Sequence, residues 1–154
     1  MSYVEKRIKQ ILAKKNIAFE EFQHEAVYTS EQAARVRGLK SAKPGIKSMI
    51  FKTETGRFIL VINPGDKQVD TKKIAKMENV KQLFIAKPEE VERVTGVPIG
   101  CVAPFGLKTK LKTYLNEELL KNEYLYFNPG LHTKTLEIRA ANLLQVLENP
   151  IRFT

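Results

Sequence analysis

Lys47-Ser48-Met49-Ile50-Phe51-Lys52-Thr53-Glu54-Thr55-Gly56-Arg57-Phe58-Ile59-Leu60-Val61-Ile62-Asn63 holds two β-type runs, 47–52 and 57–63, joined by a four-residue connection. β-branched and aromatic residues suit a pleated, half-buried surface, and a short connection containing glycine suits a hairpin loop. Asn63-Pro64-Gly65-Asp66 follows as a turn cluster that stops the second strand. Upstream, Tyr3 to Lys15 places Val4, Ile8, Ile11 and Leu12 at helical spacing with a basic outer face. Ala18 to His24 reads as a short strand, and Thr29-Ser30-Glu31-Gln32 is a capping box opening a helix to about Arg37, with Gly38 ending it.

Downstream, Asp70 caps a helix to about Met77, residues 82–86 read as a strand, and Pro88-Glu89-Glu90 opens a helix closed by Gly96. Thr95 to Gly106 reads TGVPIGCVAPFG, five glycines and prolines in twelve residues. Lys108, Lys110 and Lys112 then alternate with Thr109, Leu111 and Thr113, the period of a strand with one lysine face. Residues 124–128 and 133–139 are further strands around Pro129-Gly130, and 141–147 closes as a helix. Six or seven strands among four or five helices predict one α/β (α+β) domain over residues 1–154, with a mixed sheet whose strand order stays open.

The chain has 154 residues, 43% of them hydrophobic, enough for one core. Its 26 basic residues against 17 acids give a formal charge of +9, pointing to a polyanionic partner such as nucleic acid or a phosphorylated ligand. The longest apolar runs, such as Phe58 to Ile62, fall far short of the eighteen or so residues of a membrane span, so a cytoplasmic protein without membrane contact is expected. A single cysteine, Cys101, excludes an internal disulfide, and with two distant histidines, His24 and His132, no metal site is expected. No GxGxxG or GxxxxGK[ST] occurs, so neither a Rossmann dinucleotide fold nor a P-loop is supported, and without HExxH or GxSxG the search for catalytic side chains is mostly negative; no organic cofactor is called for.

Two acid-free stretches carry the charge. The first holds Arg35, Arg37, Lys40, Lys43, Lys47 and Lys52, and the second runs from Arg93 to Asn116 with Lys108 and Lys110. Brought together they would attract phosphates in a salt-sensitive way; apart they are ordinary solvated faces. Lys47 stands at the mouth of an apolar strand, where it either projects a fixed charge into a cleft or is the last solvated residue. The glycine- and proline-rich loop offers backbone donors suited to an anion or a developing oxyanion, or serves as a plain crossover. His132 follows a turn and either lines a pocket or is simply hydrogen-bonded. Tyr124, Tyr126 and Phe127 read as core residues or as a base-stacking surface.

These segments together resemble the YbaK family, which includes the editing insertion domain of bacterial prolyl-tRNA synthetases and freestanding aminoacyl-tRNA deacylases. The matching stretches run from His24-Glu25-Ala26-Val27-Tyr28-Thr29-Ser30-Glu31-Gln32-Ala33-Ala34, through Lys47-Ser48-Met49-Ile50 and Val61-Ile62-Asn63-Pro64-Gly65-Asp66 with Val69-Asp70, to Thr95-Gly96 and Gly100-Cys101-Val102-Ala103-Pro104. The last is similar to the family's GxxxP loop. The resemblance implies a barrel-like mixed sheet flanked by helices and hydrolysis of the aminoacyl ester at the 3′ end of a mischarged tRNA. It puts Lys47 where the family lysine binds the terminal phosphate region and supports catalysis, and Gly100, Cys101, Val102, Ala103 and Pro104 where carbonyl, ribose hydroxyl and water are positioned. Thr29, Met49 and His132 would contact the substrate, and Arg35, Arg37, Lys40, Lys43, Lys108 and Lys110 the tRNA.

The expected activity is therefore removal, in trans, of a small wrong amino acid such as alanine or cysteine from tRNA of the proline type or a related acceptor, with an aminoacyl-tRNA synthetase as a possible partner. A catalytic side chain is not required, because the ester is already activated by its ammonium and the neighbouring hydroxyl. Holding it in place and supplying oxyanion donors, each worth about a hundredfold or more, suffices. The alternative is a non-catalytic tRNA- or nucleotide-binding module, which would leave the ester intact.

Overall fold

In the computed structural model, which describes residues 2–154, the hairpin runs from β2 (Ile46–Thr53) to β3 (Phe58–Pro64). Its ends are tied by the Thr53 N–H donating to the Arg57 carbonyl at 2.8 Å and the Gly65 N–H donating to the Gly45 carbonyl at 2.8 Å. Gly65 admits no side chain: a Cβ there would lie 2.7 Å from the Ala42 carbonyl oxygen, so the loop before β2 can lie directly on the end of β3.

The remaining elements in chain order are α1 (Tyr3–Lys14), β1 (Glu20–Gln23), α2 (Ser30–Val36), α3 (Thr71–Glu78), β4 (Leu83–Ile85), α4 (Pro88–Thr95), β5 (Lys112–Asn116), β6 (Tyr124–Phe127), β7 (Lys134–Arg139), α5 (Leu143–Val146) and β8 (Ile151–Phe153). Short 3-10 turns cover Glu117–Lys121 and Ala140–Asn142. The caps are as their residue types dictate. Thr29 accepts from the Gln32 N–H, Asp70 from the Lys73 N–H, and Ser2 from the Glu5 N–H.

A mixed sheet of order β4-β2-β3-β5-β8 and an antiparallel sheet of order β1-β7-β6 share the chain. β5 runs parallel to both β3 and β8, which calls for long crossovers; α3, β4 and α4 lie in the one from β3 to β5. The two sheets meet through a bridge between Gly45 and Tyr126 but do not close, so the barrel-like sheet implied by the resemblance is instead a pair of facing open sheets. The larger core packs Val4, Ile8 and Leu12 of α1 against Leu60 and Ile62 of β3 and Leu136 and Ile138 of β7. Each such fully buried side chain contributes about 1.5–3 kcal/mol. A smaller core on the other face of the mixed sheet holds Phe51, Ile59, Val61, Ile74 and Tyr114.

One expected strand starts late. Lys108 to Leu111 have no ladder partner, and pairing with β3 begins only at Lys112, opposite Ile59. The Lys108 N–H is instead spent on the Thr95 carbonyl at 3.0 Å, holding this segment to the end of α4. Phe127 belongs to the core, edge-on to Phe105 at 5.5 Å. Tyr124 lies under the Arg139 guanidinium at 5.2 Å.

Candidate active site

A cavity of about 240 Å³ opens beside the free edge of β2, walled by the start of α2, the loop after α4 and Asn128. The edge is free for a reason of register. The Gly45 carbonyl accepts from the Gly65 N–H and the Thr53 N–H donates to the Arg57 carbonyl, so alternation points the main-chain groups of Lys47, Met49 and Phe51 at β3 and those of Ser48 and Ile50 the opposite way. The Ile50 carbonyl is taken by the Ala86 N–H at 3.0 Å, whereas Ser48 faces the cavity. The Ser48 hydroxyl oxygen is buried there without a hydrogen-bond partner among the described residues.

Lys47 lines the cavity from the strand mouth. Its Nζ donates to the Lys67 carbonyl at 2.5 Å, and the same carbonyl accepts from Asn63 Nδ2 at 3.0 Å. Asn63 is in turn fixed by a buried bond from Asn116 Nδ2 at 2.9 Å. Burial pushes the Lys47 ammonium below the usual lysine range, against the opposing pull of Glu31 and Asp66. Thr29 and Met49 share the cavity wall with Lys47.

The loop expected to position the carbonyl alternates its residues between two surroundings. Gly100 and Val102 line the cavity, while Cys101 and Ala103 point into the core and Pro104 lines a second cavity. Cys101 is 1% exposed, and burial pushes its thiol up to about 11, so it offers no thiolate near neutrality. Gly100 has φ +88°, and a Cβ there would lie 3.2 Å from His132 Cε1. His132 stands behind the loop rather than in the cavity wall. Its Nδ1 is 2.8 Å from the Val27 carbonyl, which can only accept, so Nδ1 carries the proton. The ring stacks at a tilt on Tyr28 with centroids 4.4 Å apart.

The six residues expected to bind tRNA separate into three groups. Arg35, Lys40 and Lys43 are exposed around the C-terminal half of α2 and the loop after it. Lys108 and Lys110 line the second cavity, with Arg7, and Lys110 is paired with Glu148 at 2.6 Å. Thus the two acid-free stretches share one cavity through Arg37, Lys47, Gly100 and Val102, but their outer lysines do not. Arg37 lies inside. Its Nε donates to Thr135 Oγ1 at 2.9 Å and its Nη2 to Asn128 Oδ1 at 3.1 Å, 98 and 91 residues away. Burial lowers its pKa to about 10, which leaves it charged at neutral pH. The sequence places Arg37 only in a basic run; nothing local marks Thr135, Asn128 or Ser48 as its cavity neighbours. No group of three or more potential metal ligands occurs among the described residues.

An anchored lysine, a glycine-containing loop and a free stretch of strand edge thus meet around one small cavity. The chain belongs to the aminoacyl-tRNA editing domain family, whose model matches residues 24–146. It is 26% identical over 151 residues to the multifunctional Ser/Thr-tRNA deacylase ProXp-y of Escherichia coli, covering 96% of this chain and 90% of that protein. It is also 30% identical over 102 residues to a proline–tRNA ligase of Caldicellulosiruptor saccharolyticus, of which the match spans 17%. The crystal structure of a candidate trans-editing enzyme for prolyl tRNA synthetase superimposes with a TM-score of 0.84 at 26% identity, over 99% of this chain and 96% of that one.

Proposed function

We propose that the protein hydrolyses the ester of mischarged aminoacyl-tRNA in trans, releasing a small amino acid and free tRNA. The observation that carries this is the placement of Lys47, Gly100 and Val102 on one cavity of about 240 Å³, a volume that suits a small aminoacyl group with part of its ribose. Lys47 holds the terminal phosphate region, and its anchored Nζ supplies a fixed positive charge. The main chain at Gly100 and Val102 faces the ester carbonyl and stabilises the oxyanion as water attacks; Cys101, Ala103 and Pro104 hold the loop's shape from behind. His132 supports the loop through its contact with Gly100. Thr29 and Met49 bound the aminoacyl group.

Arg35, Lys40 and Lys43 are proposed to track the tRNA backbone beside the cavity, with Lys108 and Lys110 as more distant contacts. A tRNA of the proline type or a related acceptor is the proposed substrate, met in the cytoplasm alone or beside a synthetase. Among the described residues no helix is long and apolar enough to cross a membrane. The test is deacylation of tRNAs charged with alanine, cysteine, serine and proline at moderate salt. Selective release of one wrong amino acid supports the proposal. Tight, salt-sensitive tRNA binding with every ester left intact would replace it with a binding module.

A further inference from the structure

Ser48 occupies a gap in the sheet. On the side of β2 that faces away from β3, β4 pairs only with Phe51 to Thr53, and the bridge from β6 touches only Gly45. The Ala86 N–H extends the first contact as far as the Ile50 carbonyl. Ser48 lies between the two, so its main-chain N–H and carbonyl point toward the cavity with no strand opposite them among the described residues. Its side chain repeats the pattern: among the described residues the Ser48 hydroxyl oxygen is the one buried side-chain polar atom without a hydrogen-bond partner. Native interiors rarely leave such a group unpaired, because it has lost its water and gained nothing in return. An N–H, a carbonyl and a hydroxyl, all from one residue, thus stand open at one point of the cavity wall.

Resting on the proposed deacylase reading, we infer that Ser48 is a specificity-determining residue that binds the α-amine of the aminoacyl group, so that the cavity takes esters with a free amine and rejects N-acylated ones such as formylaminoacyl- and peptidyl-tRNA. An aminoacyl ester carries its amine and carbonyl as one residue of a strand does, and a strand edge is read by exchange of main-chain hydrogen bonds. The amine donates one N–H to the Ser48 carbonyl and another to the Ser48 hydroxyl, while the Ser48 N–H is left for the ester carbonyl. Uncharged oxygens must hold the amine, since the lining residues include the cations Arg37 and Lys47 and no carboxylate. Two other oxygens of the wall are already engaged: Thr29 Oγ1 accepts from the Gln32 N–H and Asn128 Oδ1 from Arg37, each at 3.1 Å. An N-acyl group leaves the nitrogen a single N–H. The carbonyl takes it, the hydroxyl stays unpaired, and the acyl chain must also fit a cavity of about 240 Å³. A polar site discriminates most strongly against a ligand that covers its groups without pairing them.

The test uses the amino acid that the protein releases fastest, with its des-amino and N-acetyl counterparts on the same tRNA body; for alanine these are propionate and N-acetylalanine. For each ester kcat/KM is divided by the uncatalysed hydrolysis rate in the same buffer and compared among the wild type, Ser48→Ala and Ser48→Thr. Two hydrogen bonds from a charged donor predict a wild-type preference of at least about a hundredfold for alanyl over propionyl, and one predicts at least about tenfold over N-acetylalanyl. In Ser48→Ala both preferences fall by about tenfold, and Ser48→Thr, which keeps the hydroxyl, keeps them. Each ratio is taken within one variant, so partial unfolding cancels. Because Ser48→Ala removes a group that the free protein leaves unpaired, its Tm should equal or exceed that of the wild type. A role toward ribose, phosphate or water would lower all three rates together. Unchanged ratios in Ser48→Ala, with or without a loss of Tm, or a wild type that releases the N-acetyl form as fast as the free one, overturn the inference while the deacylase reading stands. Hydrolysis of none of the alanyl, cysteinyl, seryl and prolyl esters overturns both.

Discussion

Replacing Gly100 by alanine tests whether the loop conformation seen here is the one that works. Gly100 sits at φ +88°, where a side chain costs about 1–2 kcal/mol. The new Cβ would also stand 3.2 Å from His132 Cε1, a few tenths of an ångström too close. His132 cannot retreat freely, because its Nδ1 donates to the Val27 carbonyl and its ring lies on Tyr28. Crowding of this kind adds about 1 kcal/mol. The sum, about 2–3 kcal/mol, corresponds to a Tm lower by roughly 4–12 °C for a chain of this size. Deacylation should fall by more than tenfold at a temperature where the variant is fully folded, since the shifted segment carries the main chain facing the ester. A double-mutant cycle with His132→Ala separates the two causes: the double variant should recover about 1 kcal/mol relative to the sum of the single changes, and the φ cost should remain. A Gly100→Ala protein with wild-type Tm and wild-type turnover would refute the reasoning.

Cys101→Ala should retain deacylation within about threefold while losing roughly 1 kcal/mol of stability, and the native thiol should react with a thiol reagent only as the protein unfolds. Glu78 is enclosed by Arg57, Lys112 and the Tyr114 hydroxyl. Burial alone would raise its pKa, but hydrogen bonds from Lys112, Tyr114 and Arg57 outweigh this and hold it below the ordinary carboxylate range. Its contribution is therefore present above the unfolded pKa, about 4.3, and disappears as pH falls through the lower folded value, so a pH series of Tm should drop less steeply on the acid side in Glu78→Gln. At pH 7 the same variant should lose about 1–3 kcal/mol by denaturant unfolding, the lower part of that range reflecting the half-exposed Arg57 and Lys112. Neutralising Lys40 and Lys43 together should flatten the dependence of log Kd for tRNA on log salt, by about 0.7–0.9 per lost phosphate contact. Lys110→Ala, whose charge is already answered by Glu148, should change that slope least.

Local signals made much of the frame readable. The Thr29 cap, the Asp70 cap, the Gly96 stop and the hairpin turn at residues 53–56 each depend on neighbours within four residues, and each appears where its residue types require. The expected box at Thr29 closes only on one side, since Gln32 Oε1 accepts from the Tyr28 N–H instead. What stayed hidden depends on distant partners. The parallel pairing of β3 with β5, and of β5 with the three-residue β8, has no sequence period of its own. The lysine alternation at 108–112 imitates a strand, but most of that segment is held by Thr95 instead. The site divides in the same way. Lys47 and the Gly100–Pro104 loop were visible through strand-mouth position, loop composition and family resemblance. Arg37 looked like one more surface cation, and its burial follows from Thr135 and Asn128 on β7 and the loop before it. The orphan hydroxyl of Ser48 follows from a strand register that no single segment encodes.

The most direct test of the central claim is a single-turnover comparison of wild type with Lys47→Ala on mischarged tRNA at moderate salt, with Tm measured on both proteins. The account predicts selective ester hydrolysis by the wild type and at least a hundredfold slower release in the variant, with Tm changed by only a few degrees. Equal release rates in the two proteins would remove Lys47 from the mechanism and contradict the assignment of the cavity as the site of hydrolysis.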